Sequence, residues 1–422
     1  MLIKTLLLLA GCCTTFGAAR DISSMGPGRG AWQEGAPEDF GMSSELLKKA
    51  SAEVARLAPE RYCLLIVKDG VIVHETYYRN TSETTYEADS LAKTITAAVV
   101  AVAIEKGLLD IDVPLVQYGV RPRGNWSVSG FDFFKELTMR HLLTQTAGYG
   151  IIKPGTRMTY DSDNIIQHIS YAITDIVTGK MADPLQWYGA LDFASREFAS
   201  VLGIPDLYTY DELAPDFSAG GGQMVTCRDV ARVGQLILNR GEWLDATNKP
   251  YQMARADFLD QMLQPAYPGK VDGYGFLTWL NTDVRTPTAD GKRRSNCCAP
   301  RWVNDGDPPT CSASGQCGRC CIARKGYNLS HVPCNPDLGV IPDEGIGLGE
   351  SCSLSPAPEC AQYSDPSEYL ATTNLGDAFP DVDRPSSFPG RIGIGMGQSA
   401  KYMYLVPERN LTVVTIGRSW GT

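Results

Sequence analysis

The sequence predicts a mixed α/β fold (α+β), in which an antiparallel sheet built from both chain ends is flanked by helices and joined to a mainly helical lobe. Two strand-like hairpins near opposite chain ends and a helical middle predict this arrangement. A third observation is the segment 88–107, which is apolar nearly all round and is therefore expected to be a buried helix. The chain has 422 residues, of which 43% are hydrophobic, and this is enough for a large core.

The N-terminal third begins with an amphipathic helix and a hairpin. We expect residues 43–57 to form the helix, with Ser43 or Ser44 as its cap. Its apolar side is predicted to contain Leu46, Leu47, Ala50, Val54 and Leu57. Residues 62–67 and 71–78 are strand-like, and the Asp69-Gly70 pair between them is a strong hairpin signal. The buried helix 88–107 follows, and Gly107 is its expected C′ residue.

The middle of the chain, residues 107–265, is predicted to be mainly helical. The expected helices are residues 138–144, 164–178 (ending at Gly179), 191–202 and 226–239 (ending at Arg240-Gly241). Residues 272–281 then return to a strand pattern, with aromatic side chains at Tyr274, Phe276 and Trp279. Residues 401–406 and 411–416 form a second hairpin, so the two chain ends are expected to build one sheet.

Residues 1–19 resemble a secretory signal peptide. Lys4 supplies the positive region, residues 6–10 the apolar region, and residues 17–19 the small residues before a cleavage site. We therefore expect a secreted, extracellular protein. Residues 9–12 also resemble a bacterial lipoprotein cleavage box, and the alternative is a chain that is lipid-anchored through Cys12. Glycosylation sequons at Asn80, Asn125, Asn328 and Asn410 favour a secreted glycoprotein.

Residues 283–388 are expected to be a Cys-rich insertion held by disulfide bonds. The segment lacks apolar periodicity and contains nine of the 13 cysteines, namely Cys297, Cys298, Cys311, Cys317, Cys320, Cys321, Cys334, Cys352 and Cys360. A zinc site through Cys317 and Cys320 is the competing interpretation. Removal of the signal would leave 11 cysteines, so one is free or paired between chains, and the connectivity stays open.

Composition excludes some classes of partner. The net charge is −10 and the pI about 5.0, whereas a nucleic-acid-binding protein would carry a basic face. After the N-terminus there is no apolar run of 18 residues or more, so no transmembrane segment is expected. The oligomeric state is left open.

The first turn of the buried helix carries a serine and a lysine, Ser90 and Lys93. Residues three apart share one helix face, and a hydroxyl beside a desolvated amine is a candidate nucleophile and base. The alternative is a capping serine beside a lysine that extends to solvent, because one such pair is expected by chance in a chain of this length. The four histidines, His74, His141, His168 and His331, are expected to be structural or on the surface rather than the base of a catalytic triad.

Six segments in a fixed order carry a family resemblance. They are residues 90–93, 107–115, 137–149, 154–162, 229–241 and 274–276. Together they resemble the serine β-lactamase and penicillin-binding-protein superfamily, closest to the class C β-lactamase-related esterases and amide hydrolases. The resemblance covers residues 43–282 and resumes at about 391, and it implies a β-lactamase-like fold with a helical lobe at about 107–265. The domain boundaries expected on this basis are 43–282 with 391–422, interrupted by the insertion 283–388.

The resemblance also implies roles for single residues. Ser90 would be the acylated nucleophile, Lys93 the base and Tyr160 the proton shuttle to the leaving group. The third family motif, normally Lys-Thr-Gly or His-x-Gly on a strand, matches residues 395–398 best, where Gly397 would let substrate approach the strand edge. The amides of Ser90 and Gln398 would form the oxyanion hole, and Ser162 would complete the substrate-binding set. No metal or cofactor is expected.

Three departures from the family pattern lead to two functional hypotheses. Ser162 stands where β-lactamases have asparagine, the third motif lacks its cation or histidine, and the sequence ends at Thr422 without the family's terminal helix. The first hypothesis is a secreted serine hydrolase that cleaves a small-molecule ester or amide through an acyl-serine. The alternative is a non-catalytic secreted protein of the same fold that acts as a binding or structural module. Ester, amide, D-amino-acid peptide and β-lactam substrates all stay open.

Overall fold

The computed structural model describes most of the chain outside the insertion. The described residues are 22–123, 132–148, 153–155, 158, 160, 166–179, 189–204, 206–208, 215–267, 273–281, 301–303, 320–324, 330–332, 391–398 and 400–418. Within these ranges, none of the helices combines the length and the apolar character that a bilayer crossing requires.

A six-stranded antiparallel sheet drawn from both chain ends is the centre of the fold. Its strands, in spatial order, are β2 (Val71–Tyr77), β1 (Arg61–Lys68), β13 (Leu411–Gly417), β12 (Lys401–Val406), β11 (Gly393–Gly397) and β7 (Trp279–Leu280). Strand β1 pairs with β13 across the whole of its length, so the two predicted hairpins lie side by side. The prediction of one sheet built from the two chain ends is confirmed.

Both hairpins turn through residues with positive φ. In the β1–β2 turn, Asp69 and Gly70 have φ of 48° and 78°, which is the geometry that an Asp-Gly pair favours. The β12–β13 turn contains a 3₁₀ turn, Pro407–Arg409, and ends at Asn410 with φ of 43°. The Asn410 amide donates a hydrogen bond of 3.1 Å to the Asp69 carboxylate, and this contact joins the two turns.

The first helix, α1 (Ser44–Leu57), packs on β1 and β2. Ser43 is its cap, because its hydroxyl accepts the Leu46 amide at 3.3 Å. The predicted apolar side was partly wrong: Leu46 and Leu57 are 38% and 37% exposed. The buried stripe consists of Leu47, Ala50, Ser51 and Val54. These four residues follow the spacing of a single helix face, and Leu46 and Leu57 lie beside that face.

The second helix, α2 (Leu91–Glu105), lies inside the molecule as its apolar character predicts. Every residue from Leu91 to Ala103 is buried, including Lys93. The helix contacts β11 and β12 of the sheet. Gly107, with φ of 69°, follows the helix end and accommodates the left-handed turn that was expected there.

Further helices follow in the predicted order, except that the last of them was not predicted. They are α3 (Met139–Leu143), α4 (Gln167–Gly179), α5 (Ala190–Ala194), α6 (Ser200–Leu202), α7 (Cys227–Leu238) and α8 (Ala256–Met262), with a π-helical turn, Ser195–Ala199, between α5 and α6. Thr226 and Asp229 form a reciprocal capping box at the start of α7. The expected start of α4 at residue 164 lies outside the described residues. Short 3₁₀ turns also occur at Ile22–Met25, Pro37–Phe40, Leu115–Tyr118 and Asp132–Glu136.

One strand prediction was wrong in its extent. Of the residues described in this segment, 273–281, only Trp279 and Leu280 form a strand, β7, while the residues before it turn back on themselves. The Gly275 amide donates to the Thr278 carbonyl at 2.8 Å, and Leu277 adopts a φ of 49°. The aromatic alternation that suggested a strand arises from the buried side chains of a tight loop.

Short strands also occur where only helices and loops were expected. Strands β3 (Tyr86–Glu87) and β4 (Met224–Val225) pair with each other, and β5 (Glu242–Leu244) pairs with β6 (Pro250–Gln252). Within the predicted insertion, the described residues form β8 (Arg301–Val303), β9 (Cys320–Arg324) and β10 (Ser330–Val332) in one small sheet. The signal peptide, the pairing of the nine insertion cysteines and the sequons at Asn125 and Asn328 lie outside what the structure describes.

A disulfide bond joins the sheet to the helical lobe. Cys63 of β1 is bonded to Cys227, the first residue of α7, with a Cα–Cα distance of 6.7 Å. Both residues are fully buried. The bond connects segments that are 164 residues apart, and it fixes the start of α7 against the central sheet.

Candidate active site

Ser90 lies at the point where the chain turns from β3 into α2. Asp89, directly before it, has a φ of 47°, a left-handed conformation that is uncommon for residues other than glycine. The Ala88 amide donates to the Gln223 carbonyl at 2.8 Å, which continues the pairing of β3 with β4. The turn therefore presents Ser90 as the N-cap residue of a buried helix.

Lys93 Nζ lies 2.9 Å from Ser90 Oγ, within hydrogen-bond distance. The side chain of Lys93 is almost completely enclosed, with 1% of the residue exposed. Its Nζ also lies 3.4 Å from the Gly220 carbonyl oxygen and 4.7 Å from the centre of the Tyr160 ring. The spacing of three residues thus brings the hydroxyl and the amine together on one helix face.

Tyr160 lies between Lys93 and Trp279. Its ring centre is 5.6 Å from that of Trp279, with an angle of 31° between the planes. Trp279 pairs with Ile394 of β11, so Tyr160 is held against the edge of the central sheet. Tyr274 also contacts Trp279, with 4.8 Å between the ring centres, and burial together with the neighbouring Tyr160 raises the pKa of Tyr274 well above its ordinary value.

The strand that matches the third motif packs directly on the start of α2. A Cβ atom at Gly397 would lie inside van der Waals contact with the Ala88 carbonyl oxygen and 3.1 Å from the Leu91 amide. A Cβ at Gly395 would lie 2.6 Å from Leu91 Cδ1. The two glycines therefore permit β11 to approach the first helical turn, and Gln398 follows at an exposed position. The structure thus brings Ser90, Lys93, Tyr160 and Gly397 into one region, whereas Ser162 lies outside the described residues.

Two features of this region were not predicted from the sequence. The run Gly220–Gly222 lies beside α2, where the Gly220 carbonyl faces Lys93 and the Ala219 carbonyl accepts the Thr96 hydroxyl at 2.9 Å. Three consecutive glycines before a predicted helix were a usable signal for this close approach. Asp89 and Lys401 also form an ion pair next to Ser90. No local pattern indicates that pair, because the two residues are 312 positions apart.

Three histidines, His74, His141 and His168, make contacts that are structural. His74 Nε2 is 2.6 Å from Ser51 Oγ, and His168 Nε2 is 3.1 Å from the Arg123 carbonyl oxygen. His141 Nδ1 accepts the Thr138 amide at 3.2 Å in the capping box of α3. Burial lowers the pKa of His74 and of His141, which favours their neutral forms. In the described part of the chain, no group of three or more His, Cys, Asp or Glu residues is arranged to hold a metal ion.

Comparison with known proteins identifies the family. The beta-lactamase family model matches residues 60–304, which is more than half of the chain and includes Ser90, Lys93 and Tyr160. A search of curated proteins finds no match.

Solved structures of similar fold share little sequence with the chain. A putative 6-aminohexanoate-dimer hydrolase from Bacillus anthracis is 13% identical, with a TM-score of 0.48, over 88% of this chain and 77% of that one. A class C beta lactamase from Rhodobacter sphaeroides is 14% identical, with a TM-score of 0.44, over 88% and 92% of the two chains. A beta-lactamase from Sulfitobacter sp. EE-36 is 13% identical, with a TM-score of 0.46, over 92% and 94%.

The family match covers the buried helix, its serine–lysine pair and the helical lobe, and the sheet has the expected β-lactamase-like architecture. The chain therefore belongs to the beta-lactamase family, whose fold is that of serine hydrolases.

Proposed function

We propose that this protein hydrolyses a small-molecule ester or amide through a covalent acyl intermediate on Ser90. The observation that carries the proposal is the 2.9 Å separation between Ser90 Oγ and the enclosed Lys93 Nζ. A serine hydroxyl is a weak nucleophile until an adjacent base can accept its proton. Among the described residues, Lys93 is the titratable side chain in hydrogen-bond contact with that hydroxyl.

In the first step, Ser90 Oγ attacks the substrate carbonyl carbon and its proton passes to the Lys93 amine. The reaction needs Lys93 in its uncharged form, in which the same 2.9 Å contact has Ser90 as donor and Nζ as acceptor. General-base assistance of this kind contributes about 10²–10⁴-fold to the rate. The new C–O bond converts the carbonyl oxygen to an oxyanion.

The oxyanion would be bound by the backbone amides of Ser90 and Gln398. In comparable acyl-transfer enzymes, the loss of one such donor lowers kcat by about 10²–10³-fold. The close packing of Gly397 on Ala88 supports this assignment, because it brings the strand that precedes Gln398 to the start of the Ser90 helix.

Collapse of the tetrahedral intermediate breaks the bond to the leaving group, which takes up a proton from Tyr160. The position of Tyr160 beside Lys93, whose Nζ lies 4.7 Å from the centre of its ring, supports this role, in which the proton taken up by the amine would be returned to the phenol. Water then attacks the acyl-Ser90 ester by the reverse sequence and releases the acid. No step requires a metal or cofactor.

The substrate class follows from the charges around the site. The third motif has no cationic or histidine side chain at the position where the family binds an anionic substrate group. A neutral ester or amide fits this site better than a β-lactam or peptide carboxylate. The net charge of −10 argues against a nucleic-acid partner.

Covalent labelling followed by intact-mass measurement tests the nucleophile. The wild type is treated with a fluorophosphonate probe, as are the Ser90→Ala and Ser51→Ala variants. Ser51 is a matched control, since it is a buried serine whose Oγ lies 2.6 Å from His74 Nε2 and thus represents the rival serine–histidine pair. We expect one adduct on the wild type and on Ser51→Ala, and none on Ser90→Ala.

Turnover of p-nitrophenyl acetate and p-nitrophenyl butyrate distinguishes the enzyme from a non-catalytic relative. We expect hydrolysis that falls at least about 10²-fold in Lys93→Ala and in Tyr160→Phe. Equal labelling of the wild type and Ser90→Ala, or labelling that depends on Ser51, contradicts the proposal. A wild type without labelling or turnover supports the alternative of a secreted binding or structural module.

We also infer that the chain is secreted and divided as its sequence suggests. Residues 1–19 would be removed as a signal peptide, and residues 43–282 and 391–422 would form the hydrolase domain around the Cys-rich insertion 283–388. The exposed Asn80 of the first sequon is available for glycosylation. Expression in a secreting eukaryotic host, with N-terminal sequencing and glycopeptide mass spectrometry of the medium, tests these assignments. Retention of residues 1–19 would contradict the secretion proposal.

A further inference from the structure

An ion pair holds the residue directly before Ser90. The Asp89 carboxylate is paired with the Lys401 ammonium, and the two side chains are only 25% and 10% exposed. Asp89 is also the residue with φ of 47° at the turn into α2. A non-glycine residue in that conformation persists when surrounding contacts hold it in place. The pair with Lys401 is such a contact.

The same ammonium also holds Gln398. Lys401 Nζ donates a hydrogen bond of 3.2 Å to the Gln398 carbonyl oxygen. Lys401 is the first residue of β12 and pairs in register with Gly397 of β11. A Cβ atom on Gly397 would lie 3.2 Å from Lys401 Cβ, so the stem of the lysine packs on the glycine that contacts Ala88. One side chain therefore connects the residue before Ser90, the third-motif glycine and Gln398.

We propose that Lys401 is a positioning residue that sets the separation of the two oxyanion-binding amides, those of Ser90 and Gln398. This inference rests on the proposed acyl-serine mechanism and goes beyond it by assigning a residue outside the catalytic set. Oxyanion donors act only when they are held close to the productive geometry. Through its pair with the Asp89 carboxylate, Lys401 holds the chain before Ser90 and so the Ser90 amide. Through its hydrogen bond to the Gln398 carbonyl, it holds the residue that carries the second amide.

Lys68 is a matched control for the loss of a buried ammonium. Its Nζ is paired with Asp69, and its side chain is 15% exposed, close to the value for Lys401. Lys68 lies at the opposite end of the sheet, because it pairs with Leu411, which in turn pairs with Val406 at the far end of β12. A Lys68→Met variant therefore removes a comparable ion pair at a place in the sheet that is distant from Ser90.

The experiment measures kcat and KM for p-nitrophenyl butyrate, together with inhibition by phenylboronic acid. The boronic acid forms a tetrahedral adduct with a nucleophilic serine, so its affinity reports on the oxyanion site. We expect Lys401→Met to lower kcat about 10–100-fold while KM changes less than about threefold. The affinity for phenylboronic acid should fall by a factor similar to that of kcat. Lys68→Met is expected to retain kcat and inhibition within about twofold.

Asp89→Asn and Lys401→Arg keep the test decisive if Lys401→Met does not fold. Asp89→Asn is isosteric and removes only the charge, and we expect an intermediate loss of kcat with the same split between kcat and KM. The double variant Asp89→Asn/Lys401→Met should lose no more than Lys401→Met alone, because the two residues act as one unit. Lys401→Arg retains the charge, so it should keep part of the activity that Lys401→Met loses.

The outcomes separate this inference from the proposed function. A wild type that is not labelled at Ser90 overturns both. The role of Lys401 alone is overturned by a different result. In that result the wild type is labelled and active, and Asp89→Asn and folded Lys401→Met both match Lys68→Met in kcat and in inhibition by the boronic acid. A loss that appears in thermal stability but not in kcat or in inhibitor affinity likewise overturns it.

Discussion

Gly397 and Ala88 are in such close contact that no side chain fits between them, since a Cβ atom at Gly397 would collide with the Ala88 carbonyl oxygen. The contact joins β11 of the sheet to the residue two positions before Ser90. A backbone oxygen cannot move aside as the tip of a flexible side chain can. The geometry of the candidate site therefore depends on a glycine at this position.

We predict that Gly397→Ala lowers kcat/KM for p-nitrophenyl butyrate by at least about 10²-fold, because β11 must shift away from the oxyanion-binding amides. Gly393→Ala is the matched control on the same strand, where the new Cβ would collide with the end of the flexible Leu263 side chain and would lie 3.4 Å from Thr278 Cγ2, with no backbone atom in the way. That variant should lose stability but keep kcat/KM within a few-fold. Steady-state kinetics and thermal denaturation of both variants check this. Equal loss of activity in the two variants would contradict the argument.

The Cys63–Cys227 disulfide is predicted to stabilise the fold by about 2–5 kcal/mol, because it closes a long loop in the unfolded chain. Cys63→Ala, Cys227→Ala and the double variant should each lose this amount, since either change removes the same bond. Urea denaturation monitored by circular dichroism measures the free energy of unfolding. Because both sulfurs are buried, the wild type should also resist dithiothreitol until urea unfolds it. A double variant with the summed loss of the two single variants would contradict a shared bond.

The disulfide also bears on the odd cysteine expected after the proposed removal of residues 1–19. If that removal occurs, 11 cysteines remain, and pairing of Cys63 with Cys227 leaves nine, all in the range from Cys297 to Cys360. An odd set cannot pair completely within one chain, so at least one thiol of the insertion is free or is bonded to a second chain. Alkylation of the denatured, unreduced protein, followed by peptide mapping and non-reducing electrophoresis, should place it there. A fully reduced sample, with all cysteines alkylated, is the control. Alkylation at Cys63 or Cys227 would contradict the assignment.

Protonation of His141 is predicted to reduce stability at acidic pH. Burial lowers the pKa of His141 below its ordinary value of 6.5, so the unfolded chain takes up the proton first. Its contribution to stability is therefore complete above about pH 6.5 and is lost as the pH falls through the lowered pKa. Protonation also removes the acceptor for the Thr138 amide.

The variant His141→Gln isolates this effect. Glutamine at the same capping-box position can still accept the Thr138 amide but does not titrate. Between pH 7.5 and 5.5, the midpoint of urea unfolding should fall less steeply in His141→Gln than in the wild type. His74, whose pKa is also lowered by burial, stays in both proteins and accounts for a remaining slope. Identical slopes in the two proteins would rule out His141 as a contributor.

Local patterns along the sequence were enough to predict the kinds of elements and part of the site. The Asp69-Gly70 hairpin, the cap at Ser43 and the end of α2 at Gly107 occur where they were expected. The proximity of Ser90 and Lys93 also follows from spacing alone, because three residues along a helix return to the same face. These features depend on neighbours within a few positions.

Contacts between distant segments were decided only by the tertiary structure. The Asp89–Lys401 pair spans 312 residues and the Cys63–Cys227 bond spans 164, and neither has a local signature. The strand prediction for residues 272–281 was wrong for a different reason. Burial of alternate aromatic side chains does not reveal whether the backbone is extended or turned. The sequence by itself determined the positions of α1 and α2, the two hairpins of the central sheet and the serine–lysine pair of α2. Packing of β11 and β12 on that helix decided that Lys401 pairs with Asp89, the residue before Ser90. Such a contact depends on the register of strands that are far apart in the chain.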